Sequence, residues 1–221
     1  MSNIVRVWDL PTRVFHWALA VFVTALVTTA QIGGEAMVWH FRLGYAVLSL
    51  LLFRIIWGVV GGRWSRFSSF IYSPAAVLRY ARGRGLPQHS IGHNPLGAGS
   101  VFALLTLLLV QVATGLVSDD EIAATGPLSK FVSSAIVNGA TFYHKDIGNL
   151  LLIGLVTLHV TAILFYLFKK KENLVRPMIQ GDKEVKIVTG SSRDDFRSRV
   201  LAAVLWLGCV ALVAEMVRIA G

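Results

Sequence analysis

Five long apolar runs constrain this chain more than any other feature. They fall at about 14–32, 40–60, 97–117, 145–168 and 198–219, each near the roughly 20 residues a helix needs to cross a hydrocarbon core. Inside lipid every backbone N–H and C=O must be satisfied by the chain itself, so only helices and closed barrels qualify. The runs are rich in Leu, Ala and Val and lack the period-two alternation of barrel strands, which selects helices. Composition agrees, with 55% hydrophobic and 15% charged residues among 221. That is too apolar for an ordinary water-soluble domain. The expected fold class is an all-α membrane protein embedded in the lipid bilayer. The first run leads through Gln31, Gly33, Gly34 and Glu35 directly into the second, so it reads as a retained helix rather than a cleaved signal.

The net charge of +9 is unevenly placed. Arg6 and Arg13, then Arg63, Arg66, Arg79, Arg82 and Arg84, then the basic residues between Lys169 and Arg199 all fall on one side of the predicted spans. The opposite loops hold Lys130 and Lys145 among Glu35, Asp119, Asp120, Glu121 and Asp146. This is the pattern of an orientation signal, not of a nucleic-acid surface, and no nucleic-acid partner is expected. By the positive-inside rule the N-terminus is cytoplasmic and the C-terminus, after five crossings, lies on the other side. The single cysteine, Cys209, sits within an apolar run. It reads as a small buried residue, and the chain has no disulfide, CxxC pair or CxxCH motif.

Two connections exceed simple turns. Residues 61–96 carry an aromatic and basic stretch from Trp64 to Tyr80 that suits the cytoplasmic interface. Residues 118–143 suggest a short surface helix from Pro127 to Ile136. The Asp119, Asp120, Glu121 cluster either faces solvent or docks a basic partner. Neither connection announces a separate domain.

Histidine carries the chemical signal, because metal-binding side chains at membrane depth are costly and mark function. His16 lies near the cytoplasmic start of the first span and His40 opens the second from the outer side. His144 opens the fourth and His159 sits toward its cytoplasmic end. At 100° per residue, His144 and His159 differ by about 60° in direction and roughly 22 Å in height. They therefore share a face but lie too far apart to bind one metal ion. The depths pair His40 with His144 outside and His16 with His159 inside. Two transverse pairs suit two six-coordinate haems, each iron taking one axial nitrogen from either side.

Gly44 and Gly148 follow His40 and His144 by four residues, leaving room on the same helix face for a porphyrin or for close helix packing. Arg13, Arg42 and Arg54 are candidates to pair with haem carboxylates, since a guanidinium binds them in bidentate fashion. Arg13 doubles as a topology signal. His89 and His93 belong to a turn with Gly92, Asn94 and Pro95 and stay outside the ligand set, His93 alone having a route to the inner haem or a quinone. Trp8, Trp17, Trp39, Trp57 and Trp64 lie near predicted span ends, as interfacial anchors do.

At these residues the chain resembles the bacterial cytochrome b561 and nickel-iron hydrogenase cytochrome b family. The matching stretches are VWDLPTRVFHW at 7–17, HFRLGYAVLSLLLFRIIWGVVGGRWSRF at 40–67, GHNPLGAGSVFALLTLLLVQVATGL at 92–116 and HKDIGNLLLIGLVTLHVTA at 144–162. The resemblance implies a four-helix transmembrane core, residues 1–168, binding two non-covalent haem b groups. Its ligand positions fall on His16, His40, His144 and His159. A basic cytoplasmic loop at 169–197 and an additional transmembrane helix at 198–221 complete the expected organisation. That fifth helix departs from the four-helix pattern, and its Glu215 and Arg218 read as a local ion pair.

The resemblance further implies electron exchange between membrane quinone or quinol and a redox partner, such as a periplasmic c-type cytochrome or a hydrogenase, in the bacterial inner membrane. Three functions stay open: a quinone-linked electron-transfer cytochrome, a superoxide:quinone oxidoreductase working at the outer haem, and a membrane anchor that recruits a soluble redox subunit. Whether the chain is an enzyme in its own right stays open with them. A non-redox transporter also places ionisable groups within helices, but histidines at matched depths suit haem better.

Overall fold

A computed structural model of the chain describes residues 3–119, 125–185 and 187–220. Asp120, Glu121 and Lys186, which enter the charge pattern above, lie outside the described residues. The long helices are α1 (Leu10–Ile32), α2 (Ala36–Val60), α4 (Pro95–Val117), α6 (Asn149–Phe168) and α8 (Phe196–Ala220), and the short ones are α3 (Pro74–Ala81), α5 (Ser134–Phe142) and α7 (Val175–Gln180). Strands β1 (Asn3–Arg6) and β2 (Asp182–Val185) pair antiparallel, Asn3 opposite Val185 and Arg6 opposite Asp182. Among the described residues five helical stretches are long and apolar enough to cross a membrane, and the architecture is that of an all-α multi-pass membrane protein. Val21, Leu150, Leu158, Leu207 and Leu212 are exposed along these helices, as lipid-facing residues are.

Helix ends follow local capping chemistry. Asp9 caps α1, its carboxylate accepting from Thr12 N at 2.9 Å, so this helix starts four residues before the apolar run does. Asn94 does the same for α4 through Gly97 N at 2.8 Å, and Asp195 for α8 through Ser198 N at 2.7 Å. The turn between α1 and α2 uses Gly33 and Gly34 at φ of 66° and 55°, a region that glycine enters without steric cost.

The fourth span differs from its reading in the sequence. A π-helical segment, Tyr143–Gly148, joins α5 to α6, so helix is continuous from Ser134 to Phe168. The surface helix expected at Pro127–Ile136 is instead a 3-10 turn at Ser129–Phe131, followed by extended backbone at Val132 and Ser133 that lets α5 start afresh at Ser134. Residues 169–197 carry α7 and β2.

Contacts group the chain into two units. The first comprises the N-terminal stretch to His16, Arg54–Ala103 and Leu158–Leu205. Val5, Val7, Trp8, Ile91 and Val185 form a buried cluster here, flanked by Trp64, Met178 and Ile187. The Asp194 carboxylate ties its segments together, accepting from Arg6 Nη1 at 2.8 Å, Arg199 Nε at 3.0 Å and Leu10 N at 3.1 Å. The second unit comprises Trp17–Phe53, Leu104–Thr157 and the chain from Trp206 on. Its centre is Val47, Leu51, Leu108 and Leu152. The expected pair on α8 forms here as a bidentate bridge, with Arg218 Nε and Nη2 donating to Glu215 at 2.7 and 2.6 Å.

Candidate functional site

In the first unit α1 and α6 bring His16 and His159 together, ring centroids 6.5 Å apart and planes tilted by 52°. In the second unit α2 and the π-helical segment bring His40 and His144 to 6.1 Å, planes at 88°. All four rings are half-buried. Two metal–imidazole bonds of about 2 Å, plus about 1.2 Å from each ring nitrogen to its centroid, would set two rings that shared one metal roughly 6.4 Å apart. Both pairs match that spacing. Among the described residues no three His, Cys, Asp or Glu side chains cluster as a metal-binding set. Each pair offers two imidazole nitrogens, the donor set that a haem b would take from the protein.

Second contacts orient the pair in the second unit. Nδ1 of His40 donates to the Leu26 carbonyl at 3.0 Å, with Thr29 Oγ1 at 3.3 Å. Nδ1 of His144 donates to the Gln111 carbonyl at 2.8 Å. Carbonyl acceptors fix the proton on Nδ1 and leave Nε2 with its lone pair free to ligate. The Gln111 side chain returns a bond, Nε2 to the His144 carbonyl, at 2.8 Å. Gly115 backs the ring: a Cβ there would stand 2.7 Å from His144 Cε1. Gly44 faces open space, but a Cβ on Gly148 would run into the Gln111 side chain. The missing side chain at Gly148 thus admits that of Gln111.

The candidate arginines separate clearly. Arg54 is 3% exposed, its guanidinium carbon 4.7 Å from the Phe67 ring centroid and 6.0 Å from that of Phe15. Its Nη1 is buried and has no hydrogen-bond partner among the described residues, a costly state that a bound carboxylate would relieve. Arg13 donates from Nη1 to the Ile179 carbonyl at 2.6 Å, while its Nε is buried with no hydrogen-bond partner among the described residues. Arg42 is exposed and lies over the Trp39 ring at 5.1 Å.

Three side chains read as loop or interface residues have other roles. His89 is buried against Tyr72 and Tyr80, and burial, then the Arg79 charge, lowers its pKa. His93 packs against Trp8 and Phe70, with ring centroids at 4.6 and 4.5 Å. Trp57, expected at the interface, is fully buried and donates from Nε1 to Asp9 at 3.2 Å. That carboxylate, itself buried, also accepts from Gly62 N at 3.1 Å and Ser65 Oγ at 2.7 Å. Gln111 was open to sequence reasoning as a polar residue in the middle of an apolar run. Gly115 and Asp9 gave no comparable signal.

The sequence model of prokaryotic cytochrome b561 matches residues 7–181. The chain is 28% identical to the probable Ni/Fe-hydrogenase B-type cytochrome subunit of Rhodobacter capsulatus, over 82% of each protein. It is 24% identical to the protein of that name in Bradyrhizobium diazoefficiens, over 82% of this chain and 87% of the relative. The probable Ni/Fe-hydrogenase 1 B-type cytochrome subunit of Escherichia coli K12 is 27% identical over 49% of this chain and 57% of its own length. No solved structure matches. The family match spans four of the five apolar helices and all four paired histidines, and the chain belongs to the prokaryotic cytochrome b561 family, membrane b-type cytochromes that carry electrons through haem b.

Proposed function

We propose that the chain holds two haem b groups, one between His16 and His159 and one between His40 and His144. We further propose that it passes electrons between the quinone pool and an outer-side redox partner. The observation that carries this reading is the centroid spacing of the two histidine pairs, 6.5 and 6.1 Å. When bound, haem b supplies reversible one-electron exchange at its iron. The protein's part is to present two imidazole nitrogens at each place, to fix the His40 and His144 tautomers through main-chain carbonyls, and to offer Arg54 as a buried cation. The names of the relatives favour a hydrogenase as partner, and a c-type cytochrome would serve the same chemistry. The charge bias supports a cytoplasmic N-terminus and a periplasmic C-terminus in the bacterial inner membrane.

The test is the reduced-minus-oxidised visible spectrum of purified protein with haem counted per chain, followed by mixing with quinol. Two haems per chain, one in His159→Ala, and rapid reduction by quinol are expected. One haem in the parent chain would defeat the two-haem reading, and haem that quinol cannot reduce would defeat the quinone link.

A further inference from the structure

Buried polar atoms are normally partnered, because a dry unpaired donor or acceptor is costly. In the first unit Nη1 of Arg54 and Nδ1 of His93 are both shut off from solvent with no hydrogen-bond partner among the described residues. Arg54 is on α2 and His93 lies in the loop before α4. A ladder of rings joins them: the Arg54 guanidinium lies over Phe67 at 4.7 Å, Phe67 meets Phe70 at 5.9 Å, and Phe70 meets His93 at 4.5 Å. His93 belongs to the same unit as His16 and His159, and the Arg54 guanidinium also lies 6.0 Å from the ring of Phe15, the neighbour of His16 in the chain. Burial above all, then the Arg54 charge and the His16 and His159 rings, lowers the His93 pKa to about 3.

The His93 ring is also held still. Its carbonyl accepts from Tyr72 Oη at 2.9 Å, Asn94 beside it caps α4, and Trp8 and Phe70 pack against the imidazole. Leucine or phenylalanine would fill that space without stranding a nitrogen, so packing alone does not explain a histidine. Asp9, the carboxylate whose charge acts on Arg54, does not satisfy it. Both Asp9 oxygens are already taken up by Thr12 N, Trp57 Nε1, Gly62 N and Ser65 Oγ.

We infer that Arg54 and His93 together donate to one carboxylate of the haem held by His16 and His159, making His93 a haem-binding residue although it is not an iron ligand. This rests on the haem reading above. Arg54 offers a fixed cation and His93 a neutral N–H donor, and together they would satisfy an anion that is otherwise costly to bury.

The test supplies the full chain, expressed in haem-deficient membranes, with iron protoporphyrin IX or its dimethyl ester, which has the same ring and iron but no free carboxylates. In the parent chain, esterification is expected to weaken binding about tenfold at the site that His159→Ala abolishes. His93→Leu and Arg54→Gln are expected to lose about tenfold for the acid at that site and nothing for the ester, with His93→Gln, which keeps a donor, close to the parent. If His93→Leu weakens acid and ester alike, or neither, while the parent binds two haems, this inference falls and the haem reading stands. A parent chain that binds no haem would overturn both.

Discussion

His144 and Gln111 hold each other twice, His144 Nδ1 donating to the Gln111 carbonyl and Gln111 Nε2 to the His144 carbonyl, both at 2.8 Å. The clamp spans α4 and the π-helical segment, and wider turns of this kind recur at functional sites. Gln111→Leu keeps the main-chain acceptor but loses the returned bond. Outer contacts of this sort typically change metal affinity by about 10–100-fold. Because half the clamp survives, we expect a loss of about tenfold in haem retention at the His40/His144 pair, with the other pair unchanged. Haem content after repeated gel filtration reads this, and parent-like retention would show that the returned bond is dispensable.

Gly115 makes a sharper demand. A Cβ there would stand 2.7 Å from Cε1 and 3.1 Å from Nδ1 of His144, and the ring cannot yield without breaking its bond to Gln111. Gly115→Val should therefore remove haem from this pair alone. Gly208→Ala on α8, where a Cβ meets nothing within 4 Å, should leave haem content unchanged. Equal haem in the two variants would contradict the close approach.

Gly115 shows where the sequence stops being legible. The five spans could be read because about 20 apolar residues in a row have few other uses, and the histidine pairs because imidazole at membrane depth is rare. The Glu215–Arg218 bridge was legible for a local reason, the i, i+3 spacing. The β1–β2 pairing was not, since four-residue strands at Asn3–Arg6 and Asp182–Val185 carry too little periodicity and meet only through tertiary contact. Nor was the π-helical segment, so 100° per residue does not hold across 143–148. Trp57 was misread because proximity to a helix end does not distinguish an interfacial indole from one buried on a carboxylate.

Asp9 is that carboxylate, with no exposed surface and donors from Thr12, Trp57, Gly62 and Ser65. Asp9→Asn would turn an amide toward donors and remove the negative charge that offsets Arg54. Disrupting a buried charged network of this kind costs about 3–5 kcal/mol. Thermal unfolding in detergent should show a large loss of stability for Asp9→Asn, and a much smaller one for Thr12→Val, which leaves the carboxylate and its N–H donor in place. A parent-like melting temperature for Asp9→Asn would refute the network's importance.

Asp194 gives the chain a pH dependence with a definite sign. Burial pushes its pKa up, but hydrogen bonds from Arg199 and Leu10 N and the charges of Arg199 and Arg6 outweigh it, leaving the group below its ordinary value of 3.8. A carboxylate whose pKa is lower in the fold than in the unfolded chain contributes stability that is fully present above 3.8 and is lost as pH falls through the lower, folded value. At pH 7, Asp194→Asn should destabilise the first unit by about 1–3 kcal/mol through weakened charge-assisted bonds. As the parent becomes protonated in acid, the gap between the two proteins should narrow. Unfolding followed from pH 7 down through 3.8 and on until the parent unfolds measures this, and a gap that never narrows would show that the Asp194 charge contributes nothing.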